Sequence, residues 1–188
     1  DAYEWVSEGK ELARLNKHSE AIECYEKAIK IGPKLSDEWV EAWEKKAESH
    51  TELKLYQDAI LCYDVLIDSK SASLSDLWIK KATCYFHLEL NNLALSCCDK
   101  SLEISAKSSS AWNWKGFILG VMQDYAEAEE HYREAVRLDP NVANYHNNLG
   151  DALYSQEQYA EAEEHYREAV RLDPNDAVHH YKIGRAHV

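Results

Sequence analysis

The chain has 188 residues, with 34 acidic and 21 basic side chains and a formal net charge of −13. This charge argues against binding to a nucleic acid backbone, which needs a basic face. No apolar run is long enough to span a membrane, and no secretory signal is present. The five cysteines are odd in number and show no disulfide-like spacing. We therefore expect free thiols in a reducing, cytoplasmic compartment.

From the N-terminus onward, the chain divides into units of about 34 residues. Residues 125–141 and 159–175 are identical over 17 residues at an offset of 34. Weaker copies precede them, and every unit is anchored by one alanine: Ala21, Ala59, Ala94, Ala128 and Ala162. Such a period is typical of repeat architectures. The predicted repeats are residues 2–35, 40–73, 75–108, 109–142 and 143–176, with a partial repeat at 177–188.

Each unit is predicted to form two antiparallel helices. Aromatic or imidazole side chains occupy position 4 of the units: Trp5, Trp43, Trp78, Trp112 and His146. Positions 8 and 20 carry small residues, which let two helices cross closely. Apolar residues recur at helical spacing, and no segment shows the alternation of apolar and polar residues that is typical of a half-buried strand. Proline at position 32 ends the second helix: Pro33, Pro140 and Pro174. The pattern predicts an all-α fold.

These features together resemble the tetratricopeptide repeat (TPR) family. The shared features are a W-x3-G/A start, Ala at position 20, Tyr at 24, Ala at 27 and Pro at 32, and they cover nearly the whole chain. The resemblance implies an α-solenoid, a right-handed superhelix of antiparallel helix pairs, built as a single array over residues 1–188. It also implies a concave groove lined by the first helix of each unit.

An insertion of four residues before the second unit has a structural interpretation. The run Ser36-Asp37-Glu38-Trp39 has an N-cap serine followed by acidic first-turn residues. Four residues are about one helical turn. We expect this helix to begin one turn early and to carry Trp39 as an additional aromatic side chain.

The resemblance assigns groove-facing positions residue by residue. It predicts a groove that is acidic near the second unit, aromatic near the third and fourth, and rich in amides at the fifth. Trp114 is either a binding residue or a packing residue against a neighbouring helix, and both interpretations stay open. The candidate peptide-binding residues are Lys10, Arg14, Lys45, Lys80, His87, Asn113, Trp114, Phe117, Asn144, Asn147, Asn148 and Asp151.

Two known TPR binding modes can be compared with these positions. Asn148 resembles one rung of the asparagine ladder in O-linked N-acetylglucosamine transferase, and an amide can donate and accept at once. The chaperone-binding class instead needs a two-carboxylate clamp. Here Val6, Lys10, Lys45, Asp76 and Lys80 occupy the clamp positions. The two-carboxylate clamp is absent, so we do not expect recruitment of the large heat-shock chaperones by their acidic tails.

The sequence gives little support for catalysis, metal binding or a cofactor. Cys24, Cys62, Cys97, His131 and His165 share unit position 23. Equivalent helices of neighbouring units lie roughly 10 Å apart, too far for ligands that must sit within about 2.3 Å of one zinc ion. His131 with Glu134 and His165 with Glu168 have helical spacing, but both pairs lie inside the duplicated segment. We expect no enzyme activity, no metal and no cofactor.

The sequence therefore predicts a scaffold that binds a peptide segment of an unidentified protein partner in the concave groove. The alternative is the substrate-recruiting arm of a larger enzyme, such as a glycosyltransferase. The chain begins without Met and ends inside a sixth unit, so we expect a fragment with an uncapped C-terminal end that permits self-association. Its last six residues, IGRAHV, fit the repeat but are also what one reading frame of a common sequencing adapter would encode, so we assign them no function.

Overall fold

The computed structural model describes residues 1–69 and 73–175, and these ranges contain ten α-helices and no strand. Short turns connect consecutive helices within each repeat, which makes them antiparallel pairs. The predicted partial repeat, and with it the predicted C-terminal self-association, lies outside the described residues. The helices are α1 (Ala2–Arg14), α2 (His18–Ile31), α3 (Asp37–Glu52), α4 (Tyr56–Asp68), α5 (Leu74–His87), α6 (Asn91–Ile104), α7 (Ser109–Val121), α8 (Tyr125–Leu138), α9 (Ala143–Ser155) and α10 (Tyr159–Leu172).

The chain forms two compact units, residues 1–97 and a second that begins at Cys98. In the first unit, α1 packs on α2, α2 on α3, α3 on α4 and α4 on α5. In the second unit, α7 packs on α8, α8 on α9, and α9 on α10. The all-α prediction is confirmed for the described residues.

The small residue at position 8 has a specific neighbour in three repeats. Gly9 lies against the ring of Tyr25, and a Cβ on Gly150 would come within 2.5 Å of Tyr166 Cε1. A Cβ on Gly116 would lie 2.9 Å from Tyr132 Cδ1. The tyrosine at position 24 therefore packs directly against the first helix of its own repeat, which is why that helix carries glycine there.

The insertion before α3 behaves as the sequence predicts. Ser36 is the N-cap, and its hydroxyl accepts a hydrogen bond from Trp39 N at 3.2 Å. The helix runs for 16 residues, compared with 13 in α1. Trp39 is buried, and its ring meets that of Trp43 edge to face at 6.0 Å.

Histidine at position 4 of the fifth repeat reproduces the contacts of tryptophan in the fourth. Trp112 Nε1 donates to Ala106 O at 3.0 Å, and its ring lies 5.3 Å from that of His131. His146 Nε2 donates to Pro140 O at 2.9 Å, and its ring lies 5.4 Å from that of His165. The substitution keeps both the hydrogen bond to the preceding repeat and the ring contact.

All five cysteines are free and buried. No helix within residues 1–69 and 73–175 combines the length and the apolar character needed to cross a bilayer.

Candidate peptide-binding face

The predicted groove residues of the first compact unit lie on α1, α3 and α5, and most of their charges are paired. Lys10 Nζ lies 2.9 Å from Glu41 Oε1. Lys80 Nζ lies 2.5 Å from Glu44 and 3.0 Å from Glu48, and Lys45 Nζ lies 2.7 Å from Glu48. Two of these lysines link successive first helices, Lys10 joining α1 to α3 and Lys80 joining α5 to α3.

These pairs change the expected electrostatics of the second repeat. The sequence suggested an acidic stretch, but each of Glu41, Glu44 and Glu48 bonds to a lysine. Burial alone would raise the pKa of Glu48, yet the hydrogen bonds from Lys45 and Lys80 lower it. Burial would also disfavour the charged form of Lys80, but its bonds to Glu44 and Glu48 raise its pKa. The prediction of an acidic groove at this point is wrong, because the carboxylates are neutralised within the fold.

A cavity of about 400 Å³ lies between α1, α2 and α3, and is called here the α1–α3 cavity. Its charged lining consists of three cations and two carboxylates: Lys10, Arg14, Lys45, Glu48 and Glu52. The rest of its lining is Ala13, His18, Tyr25 and Ser49. Three candidate residues from the sequence therefore line one cavity. Arg14 also bonds to Glu11, one turn earlier on α1, at 2.9 Å.

The hydroxyl of Tyr25 is buried and has no hydrogen-bond partner among the described residues. Burial, together with the nearby carboxylates of Glu48 and Glu41, raises the pKa of Tyr25 to about 12. The hydroxyl therefore stays protonated and available as a donor. The sequence did not identify Tyr25 as a site residue, because a tyrosine recurs at this position in four of five repeats and indicates packing.

Amide side chains connect the first helices of the second compact unit. Asn148 Nδ2 on α9 donates to Asn113 Oδ1 on α7 at 2.9 Å, and both side chains are partly buried. This bond occurs between two residues that the sequence selected as groove candidates. Each amide retains hydrogen-bonding capacity, namely the oxygen of Asn148 and the NH₂ of Asn113.

A second cavity, of about 170 Å³, adjoins this amide bridge. Phe117, Asn148 and Asp151 line it together with Tyr125, Tyr132, Val121, Gly120, Ala152 and Ser155. Asp151 Oδ1 accepts a hydrogen bond from the Tyr166 hydroxyl at 2.9 Å. The cavity thus joins aromatic walls to amide and carboxylate groups, a combination common in ligand sites.

The remaining candidates are placed differently. Trp114 is partly buried, and its ring meets Phe117 edge to face at 5.5 Å. His87 is exposed and stacks on Tyr56 at 4.8 Å, and Asn144 is exposed. Asn147 is only 8% exposed, so its side chain belongs to the interior and not to an open binding surface.

The histidine and glutamate pairs considered for catalysis have other partners. Glu134 bonds to Arg137, and Glu168 bonds to Arg171. His131 contacts Glu127 at 3.5 Å, while His165 Nδ1 lies 3.1 Å from His146 Nδ1. Within the described ranges, no three His, Cys, Asp or Glu side chains converge on a site for a metal ion.

Two family models described as tetratricopeptide repeat match residues 2–35 and 119–177. Hsp70-Hsp90 organizing protein 1 of Glycine max is 30% identical over 130 residues, which is 69% of this chain and 22% of that protein. The chain therefore spans about a fifth of the length of this curated relative.

Solved structures share the fold at lower sequence identity. A thermophilic TPR protein of Thermus thermophilus superposes with a TM-score of 0.75 at 17% identity, covering 99% of this chain and 98% of that one. The first TPR domain of Spaghetti (RPAP3), bound to an HSP90 peptide, superposes with a TM-score of 0.60 at 17% identity. That match covers 62% of this chain and 93% of that one.

Proposed function

Because this chain belongs to the tetratricopeptide repeat family, we propose that it is a protein-interaction scaffold that binds a peptide segment on its first helices. The observation that carries this proposal is the hydrogen bond between Asn148 and Asn113 on neighbouring first helices. It aligns two amides beside a cavity with aromatic walls. Similar proteins give general support, since the RPAP3 TPR domain is solved with a peptide bound.

The bridged amides suit recognition of a peptide main chain. An extended peptide offers one N–H and one C=O per residue, and an asparagine side chain can bond to both kinds of group. Such contacts give affinity without depending on the partner's side chains. Specificity would then come from aromatic contacts, for which Trp114 and Phe117 on α7 are the candidates.

The partner we propose is not an acidic chaperone tail. The clamp positions Lys10, Lys45 and Lys80 are all occupied in ion pairs with glutamates of α3. An incoming carboxylate would have to displace those glutamates and would meet them as like charges. The HSP90 peptide belongs to the RPAP3 complex and is not transferred to this chain.

Peptide selection tests the proposal directly. A phage library of random peptides is panned on the immobilised protein, and enriched peptides are then measured against Asn148→Ala and Trp114→Ala. We expect each variant to bind at least about tenfold more weakly, as loss of a buried contact of about 1.4 kcal/mol implies.

Glu130→Ala on the exposed side of α8 is the matched control, and it should retain the affinity of the parent protein. Full binding by both first-helix variants would overturn the assignment of the face. Failure to enrich any peptide would overturn the proposed function itself.

A further inference from the structure

The hydroxyl of Tyr25 lacks the partner that its counterpart in the fifth repeat, Tyr166, has. Tyr166 donates to Asp151 at 2.9 Å, so its hydroxyl is satisfied inside the protein. In the second repeat, Thr51 on the first helix supplies a side-chain hydroxyl at position 12. In the first repeat, the positions of Asp151 and Thr51 are occupied by Lys10 and Ala13. The ammonium of Lys10 bonds to Glu41, and alanine has no side-chain acceptor. The Tyr25 donor is therefore left without an internal acceptor by the sequence of α1.

This donor belongs to a residue that lines the α1–α3 cavity. Tyr25 is 0% exposed, and a buried hydroxyl without a partner loses free energy relative to one that is hydrogen bonded. A ligand that supplies an acceptor at this point would recover that loss on binding. The unpaired hydroxyl therefore favours occupation of the cavity by a group with a hydrogen-bond acceptor.

The charge around Tyr25 determines what kind of acceptor is suitable. Although three cations line the cavity, Lys10, Arg14 and Lys45 each bond to a glutamate. Two carboxylates, Glu48 and Glu52, also line the cavity, so an incoming anion would meet like charges there. A carboxylate placed at this hydroxyl would be repelled, whereas a neutral carbonyl would not.

His18 adds an acceptor to the same lining. Its Nε2 lies 3.1 Å from Asn16 Oδ1, which can only accept, so Nε2 carries the proton. Its Nδ1 is then an acceptor, buried and without a partner among the described residues. Tyr25 follows His18 by seven residues on α2, which is about 10 Å along the helix axis. An extended peptide ligand covers that distance with about three residues. A donor N–H and an acceptor C=O are what an amide-containing ligand supplies.

We propose that the α1–α3 cavity is a subsite for an uncharged amide carbonyl of the bound peptide, which accepts a hydrogen bond from the Tyr25 hydroxyl. The amide comes from a glutamine or asparagine side chain or from the peptide main chain. The subsite excludes acidic side chains and carboxyl termini. This inference rests on the proposed peptide-binding function, but it concerns the first compact unit alone.

Small probes test the subsite without a known partner. Propionamide represents a side-chain amide, N-methylacetamide a main-chain amide, and propionate an anion of nearly the same shape. Each is titrated at constant ionic strength into the ¹⁵N-labelled protein, and backbone amide shifts of α1, α2 and α3 are followed. We expect at least one amide to bind at the cavity, and propionate to bind at least about tenfold more weakly. The stronger of the two amides identifies the source of the carbonyl.

Three variants test whether amide binding at the cavity depends on the Tyr25 hydroxyl. Tyr25→Phe keeps the ring against Gly9 and removes only the donor, so amide binding should weaken about tenfold. Ala13→Thr places an internal hydroxyl where Thr51 lies in the second repeat, and should also weaken binding. Tyr166→Phe is the matched control, since it removes the same group from the other compact unit and should leave the probe affinity unchanged.

The subsite is disproved if propionate binds as well as the amides, if Tyr25→Phe binds them like the parent protein, or if no shift appears at the cavity. These outcomes are independent of the peptide selection, which reports on Asn148 and Trp114 in the second compact unit.

Discussion

At the scale of single residues, the tyrosine at position 24 determines which side chains fit at position 8 of the first helix in its repeat. Its ring lies on the backbone of position 8, so the Cβ of any other residue there meets aromatic carbon or main-chain oxygen. In the second repeat Ala47 stands at position 8 with Tyr63 at position 24, and in the third Ala82 stands there with Cys98, so the tolerated size differs between repeats. The three glycines thus mark repeats in which the tyrosine ring leaves no room for a Cβ at position 8.

Two glycines of α7 give a matched pair of substitutions. In Gly116→Ala, the new Cβ would lie 2.9 Å from Tyr132 and 3.0 Å from Ala128 O, and we expect destabilisation of roughly 1–3 kcal/mol. In Gly120→Ala, the nearest atom is 3.8 Å away, so the higher helix propensity of alanine should stabilise by about 0.5–1 kcal/mol. Urea unfolding measures both. Equal effects of the two changes would contradict the proposed packing.

What the sequence could predict at this scale follows from how local each property is. The N-cap of Ser36 depends on the next three residues, and it was predicted correctly. The ion pairs of Glu44 and Glu48 depend on Lys80, more than 30 residues away, and the sequence predicted an acidic surface in their place. Burial of Asn147 likewise depends on which side of α9 faces its neighbours. Its type and position alone did not distinguish it from Asn148.

At the scale of helices, each first helix ends in the same turn. The residue at position 15 has a positive φ in all five repeats: Asn16, Lys54, Glu89, Gln123 and Glu157. The next residue donates its N–H to the carbonyl five residues back, as in Lys17 N to Leu12 O at 2.9 Å and Leu55 N to His50 O at 2.8 Å. This is the Schellman arrangement, which glycine usually completes. Sequence reasoning missed this turn, because none of the five residues is glycine.

Replacing the residue at position 15 by glycine should therefore stabilise the turns in which that residue is not asparagine. A side chain in the left-handed region costs about 1–2 kcal/mol, part of which the greater flexibility of unfolded glycine offsets. Lys54→Gly and Glu89→Gly should each raise the free energy of unfolding by about 1 kcal/mol. Asn16→Gly should change it far less, since asparagine tolerates this conformation. Chemical unfolding of the three variants measures the effect, and destabilisation by Lys54→Gly would contradict it.

At the scale of the whole molecule, identical sequences occupy different surroundings. α8 and α10 have the same sequence, but Arg133 pairs with Glu129 and Glu161, whereas Arg167 pairs with Glu163. Equivalent histidines also differ, because His131 lies beside Trp112 and His165 beside His146. The duplicated segment builds the scaffold, and the divergent first helices determine its chemistry. This explains why the pairing of helices could be predicted from the period, while the contacts of individual side chains could not.

The different surroundings of His131 and His165 make the stability of the protein depend on pH. Burial, with the charge of Lys115, lowers the pKa of His131, and burial, with His146, lowers the pKa of His165. Glu161 and Glu164 oppose the shift at His165, while Arg133 adds to it. The unfolded chain binds protons more readily at these histidines than the folded protein does. Their full contribution to the free energy of unfolding is therefore present above the ordinary histidine pKa of 6.5, and it is lost as the pH falls below 6.5. Carboxylates with a lowered pKa, including Glu48, affect stability in a separate pH range, below their ordinary pKa of 4.5.

His146→Trp isolates the contribution of the histidine pair. Tryptophan at position 4 should keep the bond to Pro140 O, as Trp112 bonds to Ala106 O, and it removes the imidazole that disfavours protonation of His165. We expect the variant to lose less stability than the parent protein between about pH 7.5 and 5.5, measured by urea unfolding at each pH. This range lies above the window of the carboxylates, so the difference reports on histidine. An unchanged or steeper pH dependence would show that the His146–His165 contact does not control the proton affinity of His165.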